Sequence, residues 1–320
     1  MSAQHPLALR RPFWPWLATP GLSRHTLAVL AGFAVLYLGW GSTFLANHLA
    51  LAGFPSLVLA GLRFLLAGLL LAGLAWQRAG GMRLGWHDAR LMVIGGVLML
   101  SIGQGAMVYG VQHLPSGLAA LVCTSLPLWT VVLQSLLPNE RRPAPVVLFG
   151  LGLSVVGMAA LLGSRLDVLQ DRDRLGAVAV LVLAQLAWAW GSFLFRRAGR
   201  GYSQVWWGMS AQMLLAGVIL LGLAALTGQW QAFRWSAVSA DSAWALGYLV
   251  LVVTVLAYPV YFWLLRVTSP TLVSTFAFVA PLVAVTLGVV VLGETLTTAM
   301  LGAAGLILLG VVAITLGQRT

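Results

Sequence analysis

Residues 62–75 read LRFLLAGLLLAGLA and residues 211–224 read AQMLLAGVILLGLA. Set side by side at an offset of 149, they share eight identities in 14 positions. Neither alternates as a strand would; each sits in a continuous apolar run of helix length. Two further blocks repeat in the same order. Trp40-Gly41-Ser42 returns as Trp190-Gly191-Ser192, and Pro127-Leu128 returns as Pro281-Leu282, each proline followed 13 residues later by an acid, Glu140 or Glu294. Leucine–alanine–glycine helices match one another by chance. Three blocks in one order at offsets of 149, 150 and 154 mark a chain of two like halves.

The rest of the chain says what medium those halves occupy. Of 320 residues, 60% are apolar and 8% charged, against about 25% charged in an ordinary soluble domain. That much apolar surface has no polar cover, so the chain is read as an all-α polytopic membrane protein. Ten runs of about 20 apolar residues follow: 26–46, 56–77, 91–112, 117–137, 145–163, 175–195, 204–227, 243–265, 271–292 and 298–316. They are too long and too continuous for barrel strands. Five runs fall in each half, and an odd number sets the second half upside down relative to the first. Inverted five-helix repeats are a common plan of secondary transporters.

The organisation expected is a tail over 1–25, a first repeat over 26–163, an outer linker over 164–174 and a second repeat over 175–317. Arginine placement fixes the expected orientation, because there is no lysine. With the N-terminus inside, 13 arginines fall on the cytoplasmic side and four outside, with Arg63 left within a run. Both termini are therefore expected in the cytoplasm. The net charge of +11 is a topology signal and an attraction to membrane lipid; the arginines make no continuous basic face, so no nucleic-acid partner is expected. Trp76, Trp86, Trp206, Trp207, Trp230, Trp235 and Trp244 lie near run ends, as interface anchors do.

The motifs resemble those of one family. Trp40-Gly41-Ser42-Thr43, Leu62-Arg63-Phe64, Leu114-Pro115-Ser116-Gly117-Leu118 and Pro281…Gly293-Glu294 are similar to the EamA family of the drug/metabolite transporter superfamily, over roughly residues 27–317. The resemblance implies ten spans in two inverted repeats and export of small metabolites, amino acids or drugs across the bacterial inner membrane. The first half carries Asn139-Glu140 where the family has Gly-Glu.

Polar and aromatic residues recur at helical spacing within the runs. Tyr37, Trp40 and Phe44 form a stripe on span 1 that continues to Asn47, with Ser42 beside it. Gln185, Trp188 and Ser192 stand at i, i+3 and i+7 on span 6, and Thr254, Tyr258 and Tyr261 at i, i+4 and i+7 on span 8. Ser101, Gln104 and Gln112 share a side of span 3. Such faces line a cavity or bond between helices; because four spans contribute, a shared cavity for a small-molecule substrate is expected. The Trp40-Gly41-Ser42 and Trp190-Gly191-Ser192 blocks sit at matching depths in opposite halves, as an outer and an inner constriction. Arg63 is the ionisable residue within a span. A charge there costs about 2.5–3.5 kcal/mol on insertion scales, so it is either a ligand for a substrate carboxylate or a side chain snorkelling to the outer interface. Its repeat partner is the uncharged Gln212. Pro127 and Pro281 are expected to kink spans 4 and 9.

No acid lies well inside a span, and no metal cluster, phosphate loop or nucleophile triad is present, so no cofactor and no enzymatic activity are expected. A cavity with rings, amides and one arginine suits neutral or zwitterionic amphipathic solutes. A passive channel or facilitator is the other reading, and the oligomeric state is open.

Overall fold

The computed structural model describes residues 24–79, 85–107, 122–137, 142–162, 172–198, 202–292 and 298–317. Gln112, the Leu114–Leu118 turn, Glu140 and Glu294 lie outside these, as do residues 1–23 and most of the expected linker. Among the described residues there is no strand. The main helical rods of the described residues are, in order, α1 (Arg24–Gly41 and Thr43–Leu51, joined at Ser42), α2 (Ser56–Ala79), α3 (Trp86–Met107), α4 (Leu126–Leu136), α5 (Pro145–Leu162), α6 (Arg172–Arg197), α7 (Tyr202–Leu226), α8 (Ala240–Val267), α9 (Pro270–Ser274 and Phe276–Leu292, joined at Thr275) and α10 (Thr298–Gly317). Six of them (α1, α2, α3, α6, α7 and α8) carry stretches long and apolar enough to cross a membrane. The other four contain shorter apolar helices in the stretches of the remaining predicted spans.

Small residues bring the helices together. A Cβ on Gly68 would lie 2.8 Å from the Leu214 backbone nitrogen, and one on Gly217 would lie 2.7 Å from that of Leu65. Only glycine lets two backbones approach this closely. Further along, Gly61 meets Leu221 and the Ser210 hydroxyl donates to the Gly68 carbonyl at 2.9 Å. As the chain advances along α2 its contacts step back along α7, so the two run antiparallel. The contacts are also reciprocal, since Leu65 and Leu214, and Gly68 and Gly217, are repeat equivalents. One of the three blocks that reveal the repeat in the sequence, Leu65-Leu66-Ala67-Gly68, thus packs against its own copy.

Other pairs obey the same exchange. α1 packs antiparallel on α8, with Gly32 on Leu264 and Gly39 on Ala257. Its counterpart pair is α6 on α3, where Gly191 meets the Gly95 carbonyl and Gly103 lies near Trp188 and the Ala184 carbonyl. α5 and α10 pair through Gly150 against Gly310 and Gly157 against Ala303 and Ile307. They join a small separate core of Val131, Val147, Leu151, Phe278, Ile307 and Ile314, beside the main core of the remaining helices. Leucines at 38, 66, 69 and 309 stay exposed, as faces turned to lipid would.

Backbone irregularities repeat as well. α3 passes through a π-helical segment at Val97–Gln104, and α8 through one at Leu249–Leu256. In α8 the Thr254 hydroxyl donates to the Leu249 carbonyl, five residues back, at 2.7 Å. α9 breaks at Thr275, and the chain turns at Thr124 and Ser125 before α4. Pro281 lies inside a helix as expected. Pro127 does not kink one: it stands in the first turn of α4, after that turn, where its missing N–H would have no partner anyway. Between α7 and α8, Gly228 takes φ 76° and starts the short turn Gln229–Ala232. The Gln229 carboxamide then accepts from the Leu57 N–H at 2.9 Å, capping α2.

Candidate functional site

The interruptions surround a cavity. It has a volume of about 90 Å³ and has room for more than one water. Trp40 and Thr43 come from α1, Arg63 from α2, Gly103, Gln104 and Met107 from α3, and Gln185 and Trp188 from α6. Tyr258 comes from α8, and Cys123 and Leu126 flank the turn before α4. Phe276, Ala277, Ala280 and Pro281 complete the wall just after the break in α9. Both halves therefore contribute, and the irregular backbone lies against the cavity, where broken helices are tolerated at membrane depth.

Trp40 is the centre of the aromatic wall. Its ring lies 4.4 Å from Phe276, 5.0 Å from Tyr261, 5.2 Å from Tyr258 and 5.7 Å from Trp188 between centroids. These are edge-on and tilted contacts, the favourable arrangements for aromatic rings. Its indole N–H donates to the Val253 carbonyl within the π segment of α8 at 3.2 Å. Trp188 is held from behind. Its N–H donates to the Tyr261 hydroxyl at 3.1 Å, and Tyr261 lies 2.6 Å from the Ser192 hydroxyl. Ser192 gives its own proton to the Trp188 carbonyl at 2.7 Å, so Tyr261 donates to Ser192.

Arg63 is only 4% exposed and does not snorkel. Its Nε donates to the Thr254 hydroxyl at 2.7 Å, and its guanidinium carbon lies 5.2 Å from the Phe64 ring centroid. Thr254 spends its proton on Leu249, so it can only accept from the arginine. The repeat partner Gln212 is also buried and also bonds across to the other half. Its Nε2 donates to the Met92 carbonyl on α3 at 2.7 Å, and it takes no part in the cavity.

The structure thus brings Trp40, Arg63, Gln104, Gln185, Trp188, Tyr258 and Pro281 to one cavity wall. Tyr261 and Ser192 stand behind it. Tyr37 and Ser42 are elsewhere: the Tyr37 hydroxyl meets Thr275 at 2.7 Å, and Ser42 bonds Tyr248 at 2.6 Å and the Gly39 carbonyl at 3.0 Å. Tyr37 thereby ties α1 to the break in α9. Trp190 is not a constriction: it is 41% exposed, and Trp188 is the α6 ring that meets Trp40. Thr43, Met107, Cys123 and Phe276 also line the cavity without having been expected there. Thr43 follows the Trp40-Gly41-Ser42 block directly, a signal that was available. Cys123 accepts from the Gln185 amide at 3.5 Å. Among the described residues no His, Cys, Asp and Glu cluster could hold a metal ion.

Known proteins match this arrangement. The model of the EamA-like transporter family matches twice, over residues 26–163 and 175–316. The "uncharacterized inner membrane transporter YedA" of Escherichia coli K12 is 32% identical over 298 residues, 92% of this chain and 93% of that protein. A "probable amino-acid metabolite efflux pump" of Salmonella typhimurium is 26% identical, covering 85% of this chain and 89% of its own length. An "S-adenosylmethionine/S-adenosylhomocysteine transporter" of Chlamydia trachomatis is 28% identical over 85% of this chain and 84% of its own. A crystal structure superposes with a TM-score of 0.75 over 92% of this chain and 99% of its own, at 20% identity, so the fold is shared where most of the sequence is not. With both halves matched, and with apolar helices enclosing a common cavity, this multi-pass inner-membrane chain belongs to the EamA-like transporter family.

Proposed function

We propose that the chain is a secondary transporter that exports small organic solutes, such as amino acids, other metabolites or drugs, by alternating access. All ten rods cross the membrane in this reading, as two inverted five-helix repeats (26–163 and 175–317) with both termini in the cytoplasm. The reciprocal antiparallel packing of α2 on α7, and of α1 on α8 against α6 on α3, supports the inversion. The observation that carries the reading is the cavity enclosed by both halves where the interrupted helices meet. A cavity bounded by two symmetry-related halves can open to either side when one half rocks on the other. The names of the Salmonella and Chlamydia relatives support small organic solutes as the cargo.

Counterflow in proteoliposomes tests this. Vesicles of purified protein loaded with unlabelled substrate should accumulate labelled substrate saturably and faster than unloaded ones. Flux that does not saturate and is not stimulated from the opposite side would identify a channel.

A further inference from the structure

We propose that the solute is a monoanion, a single carboxylate on an apolar or aromatic body, and that the inside-negative membrane potential alone drives its export. This rests on the transporter reading above and narrows it to a substrate class and an energy source.

Arg63 is the charged residue among the described lining of the cavity. Its guanidinium is nearly fully buried, lines the cavity, and uses one of its five donors on Thr254. No acid lines the cavity among the described residues, and the described acids, Asp88, Asp173 and Asp241, all stand in the first turns of helices. A buried guanidinium presenting its remaining fork to a cavity is matched by a carboxylate, which takes two parallel charge-assisted bonds. The anion that enters neutralises the cation already there, so the loaded cavity carries no net charge. The same cavity lining supplies Trp40, Trp188, Tyr258 and Phe276 for an apolar body. One arginine, with no second basic side chain among the described lining residues, does not suit a di- or trianion.

The same inventory weighs against other charges. An organic cation would press against Arg63 with no carboxylate to offset the repulsion. An amino-acid zwitterion would satisfy the arginine but strip water from its ammonium, leaving only the neutral amides of Gln104 and Gln185 and the ring faces to receive it. With no acid among the described lining residues, the cavity also lacks the usual proton carrier of coupled exporters there. A monoanion needs none. A potential of about 100 mV, inside negative, sustains an outward gradient of about fiftyfold for one charge.

Three compounds with one phenyl ring and differing charge test this in proteoliposomes of the full chain: 3-phenylpropionate, phenylalanine and phenethylamine. We expect saturable counterflow of 3-phenylpropionate, above protein-free vesicles, at least about tenfold faster than phenylalanine, and none of phenethylamine. A valinomycin-set potassium potential should drive net phenylpropionate flux toward the positive side, and a pH gradient imposed with equal potassium on both sides and valinomycin present should drive none above that of protein-free vesicles. Arg63→Gln should lose the preference for the acid. Arg63→Lys, which keeps the charge and loses the fork, should keep the preference with about tenfold weaker apparent affinity. Folding of both is followed by the detergent melting temperature. Exchange of phenylalanine or phenethylamine in place of the acid would overturn the anion inference and leave the transporter standing. Flux that follows the pH gradient and ignores the potential would overturn the energy source. Saturable exchange of nothing in a wide solute panel would overturn both readings together.

Discussion

Trp40 and Trp190 occupy the same place in two copies of one motif, yet the first is 8% exposed at the centre of the cavity wall and the second is 41% exposed on the outside. Their neighbours two residues back are reversed. Leu38 is 62% exposed, whereas its counterpart Trp188 is 7% exposed and lines the cavity. Two residues turn a helix by about 200°, so the inward face of α6 is the outward face of α1. The helices differ at the same point, since α1 is interrupted at Ser42 while α6 runs unbroken through Ser192. The repeat preserves which helices touch. It does not preserve which side chain lines the cavity.

The strongest way to break this comparison is to remove one ring from each copy. Trp40→Ala deletes a buried ring with four aromatic neighbours, a loss of about 3–5 kcal/mol for such truncations. Transport should be abolished and the melting temperature should fall. Trp190→Ala should stay within about 0.5 kcal/mol of the parent and transport normally. Equal damage from both would mean that the two copies do equivalent work.

The scaffold should give the opposite result. Gly68→Leu and Gly217→Leu each drive a side chain into the partner helix's backbone. Overpacking costs about 1–3 kcal/mol, and the upper end is expected because backbone cannot step aside. Because the contacts are reciprocal, the two variants should lower the melting temperature by similar amounts. A large difference between them would show that α2 and α7 do not share the interface evenly.

The division between scaffold and site explains what the sequence could reveal. Run length and the Leu65-Leu66-Ala67-Gly68 block depend on local chemistry that both halves share, so the helices and the repeat were legible, whereas the pairing of one helix with another was not. The stripe of Gln185 and Trp188 and the lone Arg63 were legible too, because a polar group in an apolar run must be accounted for. The facing of Trp40 against Trp190 was not, since it depends on a rotation that matching motifs conceal. Nor were the π segments at Val97–Gln104 and Leu249–Leu256, which lie in ordinary apolar sequence. Pro127 misled for a related reason: a proline inside an apolar run reads as a kink until the turn at Thr124 and Ser125 shows that a helix begins there.

The smallest expected effects separate two of the polar crossings between halves, those of Arg63 and Gln212. Thr254→Val keeps the shape of the side chain and removes the acceptor of Arg63. A buried, charged donor left without its partner costs about 1.5–3 kcal/mol, and the guanidinium is freed to swing within the cavity. The variant should therefore fold with a modestly lower melting temperature and show weaker substrate affinity with little change in maximal rate. Gln212→Leu removes the matching bond to Met92 but exposes no buried charge, and it also removes a carbonyl oxygen that has no partner. Those two terms oppose each other, so stability should move by less than about 1 kcal/mol and substrate affinity not at all. If Gln212→Leu alters affinity as much as Thr254→Val, then the crossing in the second half also positions the cavity, and the assignment of the site to one arginine in one half is wrong.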